Sequence, residues 1–534
     1  RTKIEYNKVL LMDQIKLSRL SNLLIHAFEK EEEQRQTKDG INVNRVVAEI
    51  ATWYEKLRNA MDYREKEVAR RAAIERILKR RLFFGGEGKK IAPPLIRELL
   101  WARYFSDSSI TEEEVAKVAK IIDLYLSLRT HLIQKHPKNV NIDGLIYELL
   151  SSRIEIMLNK NRDIETLSNF IFNLLKDSIT VTDDKPEIKD IQVFIAVRRT
   201  FAKDDKAFLY YHLFKQYFGE INEGSIPHIV STFKVGYDEI TKQLNYKLKE
   251  RITSYVKRQI PPFLIFGDIL QKERGNIRGL IEDTQKFEDA VYETAEIRYK
   301  SITAKVRRAI IRAVIFILLT KFIFAFSVEI TYDNLFFGKI MWNAILINIF
   351  APPLLMVIAS FFIRTPDINN TRRIWDRIIN ILGSENPQLD RPLILSLRPI
   401  RKHPTLHLIF TVLWWVAFIL SFGLIIFILD KLDFSIASMG VFVFFLALIA
   451  FFTYRISQTA RSYTVEGKPG LTAPIVDFFF MPIVRVGRHL SEGIAKINIL
   501  IYLFDYLIET PFKEIFGFLE QWFFFLQTKR EELG

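Results

Sequence analysis

Apolar positions in the first 300 residues recur at three- and four-residue spacing and are everywhere interrupted by charged ones, the pattern of amphipathic helices. No stretch there alternates with period two between turn signals, so strands are not expected. After residue 309 the pattern changes. Four runs, roughly 309–330, 340–363, 408–429 and 434–454, reach the length of about 17–25 apolar residues that a membrane span needs. The pattern predicts an all-α fold: a polytopic integral membrane protein with four transmembrane helices and a large cytoplasmic helical domain.

Within the first half, helices are expected over about Ile4–Arg35 and Asn44–Leu82. Pro93-Pro94 is expected to open a short helix to Tyr104, since proline is tolerated in a first turn. Thr111 and Glu114 form a T-x-x-E capping box and start a helix to about Gln134. Further helices are expected at Ile142–Leu158, Asp163–Leu175, Ile188–Phe218 and His228–Gln259, the last stopping at Pro261-Pro262. Thr180–Pro186 reads as a linker. From Ile281 a helix should run unbroken into the first apolar run, because no Pro or Gly occurs between Leu280 and Val328. The chain therefore divides into helical regions 1–180 and 181–280, a basic stalk helix 281–308, a four-helix region 309–454, and tail helices 455–534.

Charge sharpens this division. Lys and Arg number 76 against 62 Asp and Glu, a net charge of +14. The excess sits beside the apolar runs. Lys300, Lys305, Arg307, Arg308 and Arg312 follow one another with no acid between, so anionic lipid headgroups are the expected partner rather than nucleic acid. Loop 364–407 holds eight Lys or Arg, while loops 331–339 and 430–433 hold one each. By the positive-inside rule the basic loop, the N-terminal half and the C-terminus belong on the cytoplasmic side of a plasma or inner membrane. With no cysteine, disulfides and thiolate chemistry are excluded.

Lys321, in the middle of the first apolar run, poses the clearest physical problem. A cation there costs about 2.5–3.5 kcal/mol on insertion scales unless it finds a partner. The candidates are Asp477 and Asp505 in the tail, or the neutral Asn343 and Asn348 in the second run. Pro352 and Pro353 each remove a helix hydrogen bond, so a kink, break or re-entrant turn is expected there. The tail stretches 473–486 and 494–508 are too short to span, and Phe512–Phe525 has an amphipathic pattern. Residues 373–382 share that pattern and are expected to lie on the membrane surface or against the bundle.

No catalytic motif, metal-ligand set or cofactor motif is legible. Gly85-Gly86-Glu87-Gly88-Lys89-Lys90 is read as a flexible loop rather than a phosphate loop, because Lys90 stands where Ser or Thr should follow Lys89 and a helix, not a strand, is expected before it. The expected function is a non-enzymatic, membrane-anchored scaffold or assembly subunit with protein partners or a homo-oligomer. The alternative is a channel or transporter subunit using Lys321 and the tail carboxylates.

Overall fold

The computed structural model describes residues 15–33, 66–83, 85–106, 109–136, 141–159, 161–340, 342–385, 391–398, 404–465 and 480–489, with isolated positions among 40–55, at 387 and among 518–526. The described chain is almost wholly helical. A head region comprises α1 (Arg19–Glu33), α2 (Lys66–Arg81), α3 (Gly88–Trp101), α4 (Glu112–Lys135), α5 (Ile142–Leu158), α6 (Asp163–Leu175), strand β1 (Ile179–Val181), α7 (Pro186–Val197), α8 (Lys206–Phe218), α9 (Ile226–Leu244), α10 (Lys249–Lys272) and α11 (Ile277–Glu282). Then comes α12 (Thr284–Phe324), which passes through a π-helical turn, Ala325–Glu329, into α13 (Ile330–Phe337). The remaining elements are α14 (Trp342–Ser360), α15 (Ile368–Gly383), β2 (Leu393–Leu395), α16 (Pro404–Lys431) and α17 (Ile436–Ala460).

Local chemistry sets several helix starts. Thr111 accepts from the Glu114 N–H and Glu114 reaches back to the Thr111 N–H, the expected capping box. Asp205, Asp283 and Asp367 each accept from the N–H three residues on, at 3.0, 3.1 and 3.0 Å. Two proline pairs of the head behave differently from expectation. The first helix with a proline pair begins at Gly88, so Pro93-Pro94 stand past its first turn and the helix continues through them. Gly88 itself lets that start abut α4, since a Cβ there would lie 2.0 Å from the Ala119 carbonyl oxygen. The break expected at Pro261-Pro262 lies instead at 245–248, and α10 continues through both prolines, which are buried. Residues 15–18, expected to be helical, precede α1 as non-helical chain, and the Ser18 N–H donates to the Leu382 carbonyl.

Among the described residues, the head has two apolar cores. One gathers α2 to α5 with α8 and α9 around residues such as Leu99, Ile122, Leu149, Phe214 and Phe233. The other gathers α1, α6, α7, α10, α11 and the first half of α12 around Phe28, Ile171, Phe263 and Phe287. This second core also takes in α15, whose Ile374, Ile378, Ile381 and Leu382 are buried there. So the amphipathic stretch 373–382 packs inside the head rather than on a surface: its apolar face meets Phe287, and Trp375 stands edge-on to that ring at 5.4 Å. Of the stretch expected as a linker, Thr180 and Val181 belong to β1, which pairs in parallel with β2 through Ile179–Leu393, Thr180–Ile394 and Val181–Leu395, while 182–185 form the non-helical connection to α7.

Asn370 ties this junction together. Its side-chain amide donates to the Tyr299 hydroxyl (2.7 Å) and the Tyr463 carbonyl (2.8 Å), and its oxygen accepts from the Val465 N–H (2.8 Å). One buried residue thus joins α12, α15 and the chain leaving α17.

Among the described residues, four helical stretches are long and apolar enough to cross a membrane: Thr284–Phe336, Trp342–Ser360, Leu408–Lys431 and Ile436–Tyr463. The first, second and fourth pack on one another, through Ile302, Val306, Ile317, Met356, Phe445 and Ile456. Nearly all of the third faces outward, with Leu429 and Ala417 its buried contacts.

The burial of α15 is testable. Ile378→Ala should lower head stability by about 2–5 kcal/mol in thermal or denaturant unfolding, the range for truncating a core isoleucine. Ile368→Ala, on the same helix but 70% exposed, should change it little. Equal effects would place α15 outside the core.

Candidate functional site

The most constrained polar site lies within the apolar helices. Lys321 and Glu329 are both fully buried, and the Lys321 ammonium is 3.0 Å from Glu329 Oε1. The other carboxylate oxygen, Oε2, accepts from Asn348 Nδ2 at 2.7 Å and from the Ser438 hydroxyl at 3.2 Å. Asn348 Nδ2 also donates to the Ser438 carbonyl at 3.1 Å. The Phe445 ring covers the ammonium, 4.9 Å from Nζ to centroid, a cation–π contact that strengthens where water is excluded. Asp333, one turn beyond Glu329, is buried as well.

Each element contributes for a local reason. In an ordinary helix each residue turns about 100°, so residues eight apart would stand about 80° apart. The π turn Ala325–Glu329 takes up one extra residue. It sets the following chain back by about one step and brings Glu329 to within about 20° of the Lys321 face. Helical side chains lean toward the N-terminus, so Glu329 reaches back across the two turns. Asn348 comes from α14, and Ser438 stands at the start of α17, where the Ser435 hydroxyl caps the helix and also donates to the Ser438 hydroxyl at 3.2 Å.

The site residues expected from sequence are therefore distributed unevenly. Lys321 and Asn348 share one network, while Asn343 is exposed on the opposite side of α14. Asp477 and Asp505 lie outside the described residues, and the partner found is Glu329, which the sequence reading did not select. The helix α14 continues through Pro352 and Pro353, both buried, with no break or re-entrant turn. In the tail, 480–489 is helical and packs on α17: a Cβ on Gly487 would lie 2.0 Å from the Ala447 carbonyl oxygen. Such close backbone approach is what small residues permit between apolar helices. Arg485 stacks 5.6 Å over the Trp414 ring. Most of 512–525 lies outside the described residues.

Of the basic series, Lys300 pairs with Glu296 at 2.7 Å. Lys305, Arg307, Arg308 and Arg312 are exposed and, among the described residues, make no ion pair.

A second buried polar cluster lies in the head. Arg198 Nε donates to Asp204 Oδ2 at 2.6 Å, and Arg198 Nη2 lies 2.8 Å from His212 Nε2, which must accept and so is unprotonated. Burial and the Arg198 guanidinium hold the His212 pKa well below its ordinary value. Burial, only partly offset by Arg198, pushes Asp204 up to about 6. An open cleft lined by Arg70, Arg103, Tyr104, Ser106 and Asn159 lies elsewhere in the head, with Arg70 already engaged by Glu155 at 3.3 Å. Among the described residues, no three His, Asp or Glu side chains converge as metal ligands.

Compared with known proteins, the chain matches no family model, no curated protein and no solved structure.

Two predictions follow from these clusters. Lys321→Met or Glu329→Gln alone should each cost about 3–5 kcal/mol, because either leaves one buried charge uncompensated. The double variant should recover most of that loss, read as a coupling energy in detergent unfolding; additive losses would mean that the two groups do not interact. For the head, the depressed His212 pKa contributes stability that is complete above pH 6.5 and is lost as pH falls. The raised Asp204 pKa acts oppositely, losing stability as pH rises from 3.8 to about 6. The two act in opposite directions. His212→Asn removes the first, so on acidification from about pH 6 to 4 the variant should gain stability relative to the parent, by up to about 1.4 kcal/mol per pH unit. Parallel pH profiles for variant and parent would contradict this.

Proposed function

We propose that the four apolar helices cross a plasma or inner membrane with the head on the cytoplasmic side, and that the protein is a non-enzymatic scaffold or assembly subunit. The observation that carries this reading is the double fastening of the head. The helix α12 runs from the head's second core into the first apolar stretch. The loop between the second and third apolar stretches returns to the same core as α15 and β2. A domain held through both connections keeps one stance relative to the bilayer, which suits presentation of a large helical surface to protein partners or to further copies. The asymmetry of basic residues between loops supports the orientation.

The buried Lys321–Glu329–Asn348 cluster favours a second reading, an ion or proton pathway, because intramembrane ionisable groups commonly mark one. Against it, both oxygens of Glu329 and the ammonium of Lys321 are committed to contacts within one chain. Those contacts also lock three helices together, a structural role sufficient to retain them.

Purification of the full chain from its own membranes in mild detergent separates the two readings. The scaffold reading expects a stable complex of fixed stoichiometry, and reconstituted vesicles that conduct neither protons nor monovalent ions. Flux that disappears in the Lys321→Met/Glu329→Gln double variant would replace it with the transport reading.

A further inference from the structure

The outward face of α12 changes chemistry along a single line. Lys305, Arg308 and Arg312 follow at three- and four-residue spacing, so they share one stripe of the helix. All three are exposed. The same stripe continues as Phe316, Leu319 and Ile323, exposed by 49, 60 and 65%. No Asp or Glu occurs between Glu296 and Glu329 to neutralise it, and none of the three cations makes an ion pair among the described residues.

The dimensions fit one class of ligand. Lys305 to Arg312 covers about 10 Å of helix at 1.5 Å per residue, comparable with the headgroup layer on one side of a bilayer. From Arg312 to Phe336 is about 36 Å, enough to cross a hydrocarbon core of about 30 Å. A free phosphate or an acidic peptide would use the cations alone, whereas on the membrane-crossing reading, on which this inference rests, acyl chains lie beside the apolar continuation of the same stripe. An acidic phospholipid uses both. We propose that Lys305, Arg308 and Arg312 bind the phosphate and headgroup of an acidic phospholipid whose chains lie along Phe316, Leu319 and Ile323. The site sits where α12 emerges from the apolar helices toward the head, so an occupied site would fix the depth of the long helix in the bilayer.

The test uses the full chain in neutral detergent, titrated with phosphatidylglycerol or phosphatidylcholine and read by native mass spectrometry. Phosphatidylglycerol should bind more tightly than phosphatidylcholine by of the order of 10- to 100-fold, as expected for several juxtamembrane cations. The variant Lys305→Gln/Arg308→Gln/Arg312→Gln should lose that preference. A charge-matched control, Lys89→Gln/Lys90→Gln/Lys120→Gln on exposed positions of α3 and α4, should keep it. All substituted side chains are exposed, and the melting temperature of each variant confirms that the fold is intact. Equal affinity for the two lipids in the parent, or equal loss in the control, would overturn the proposal. So would displacement of phosphatidylglycerol by inorganic phosphate at equal concentration, since the chains would then contribute nothing.

Discussion

The buried pair between Lys321 and Glu329 is the constraint on which the apolar half depends. An ion taken out of water loses several kcal/mol of solvation even after relaxation, and only a close, well-bonded counter-ion restores it. Here the counter-ion is supplied by the same helix, and its second oxygen is satisfied by α14 and α17. The charge problem of one helix thereby fixes the packing of three. The remaining long apolar helix, α16, takes no part and is correspondingly the least enclosed.

A second constraint is covalent. Because α12 belongs both to the head's second core and to the apolar bundle, a rotation of the bundle helix is felt at Phe287 and Val291. Asn370 closes the circuit by bonding Tyr299 on α12 to the chain leaving α17. Such a construction resists relative motion of head and bundle, which is the feature that the proposed presenting role rests on.

Sequence reading found what length and periodicity can reveal. Four apolar stretches, the unbroken run from the stalk into the first of them, and the Thr111–Glu114 cap are all local signals. Lys321 stood out because a charge in an apolar run is conspicuous. Glu329 did not, although it is only eight residues away, because eight is not a helical repeat; a π turn is needed to make it one, and nothing in Ala325–Glu329 announces such a turn. The placement of α15 was ambiguous for another reason. An amphipathic helix shows that it has an apolar face, and Ile374, Ile378 and Ile381 would serve a membrane surface as well as a core. Only the tertiary contact with Phe287 decides. The proline pairs misled in the same way: Pro261 and Pro262 lose two backbone bonds, yet both rings are buried in a core that holds the helix on course.

Deletion of Ser327, an exposed residue within the π turn, tests most directly whether that turn makes the Lys321–Glu329 pair. If the turn holds one surplus residue that brings Glu329 onto the Lys321 face, removing it restores an ordinary helix with the two groups seven apart and still aligned. The deletion variant should then unfold in detergent within about 1 kcal/mol of the parent, and Glu329→Gln should remain as costly in that background, about 3–5 kcal/mol. If the deletion itself costs that much, and Glu329→Gln then adds nothing, the helix past Ala325 has been rotated out of register and the π turn is not what makes the pair.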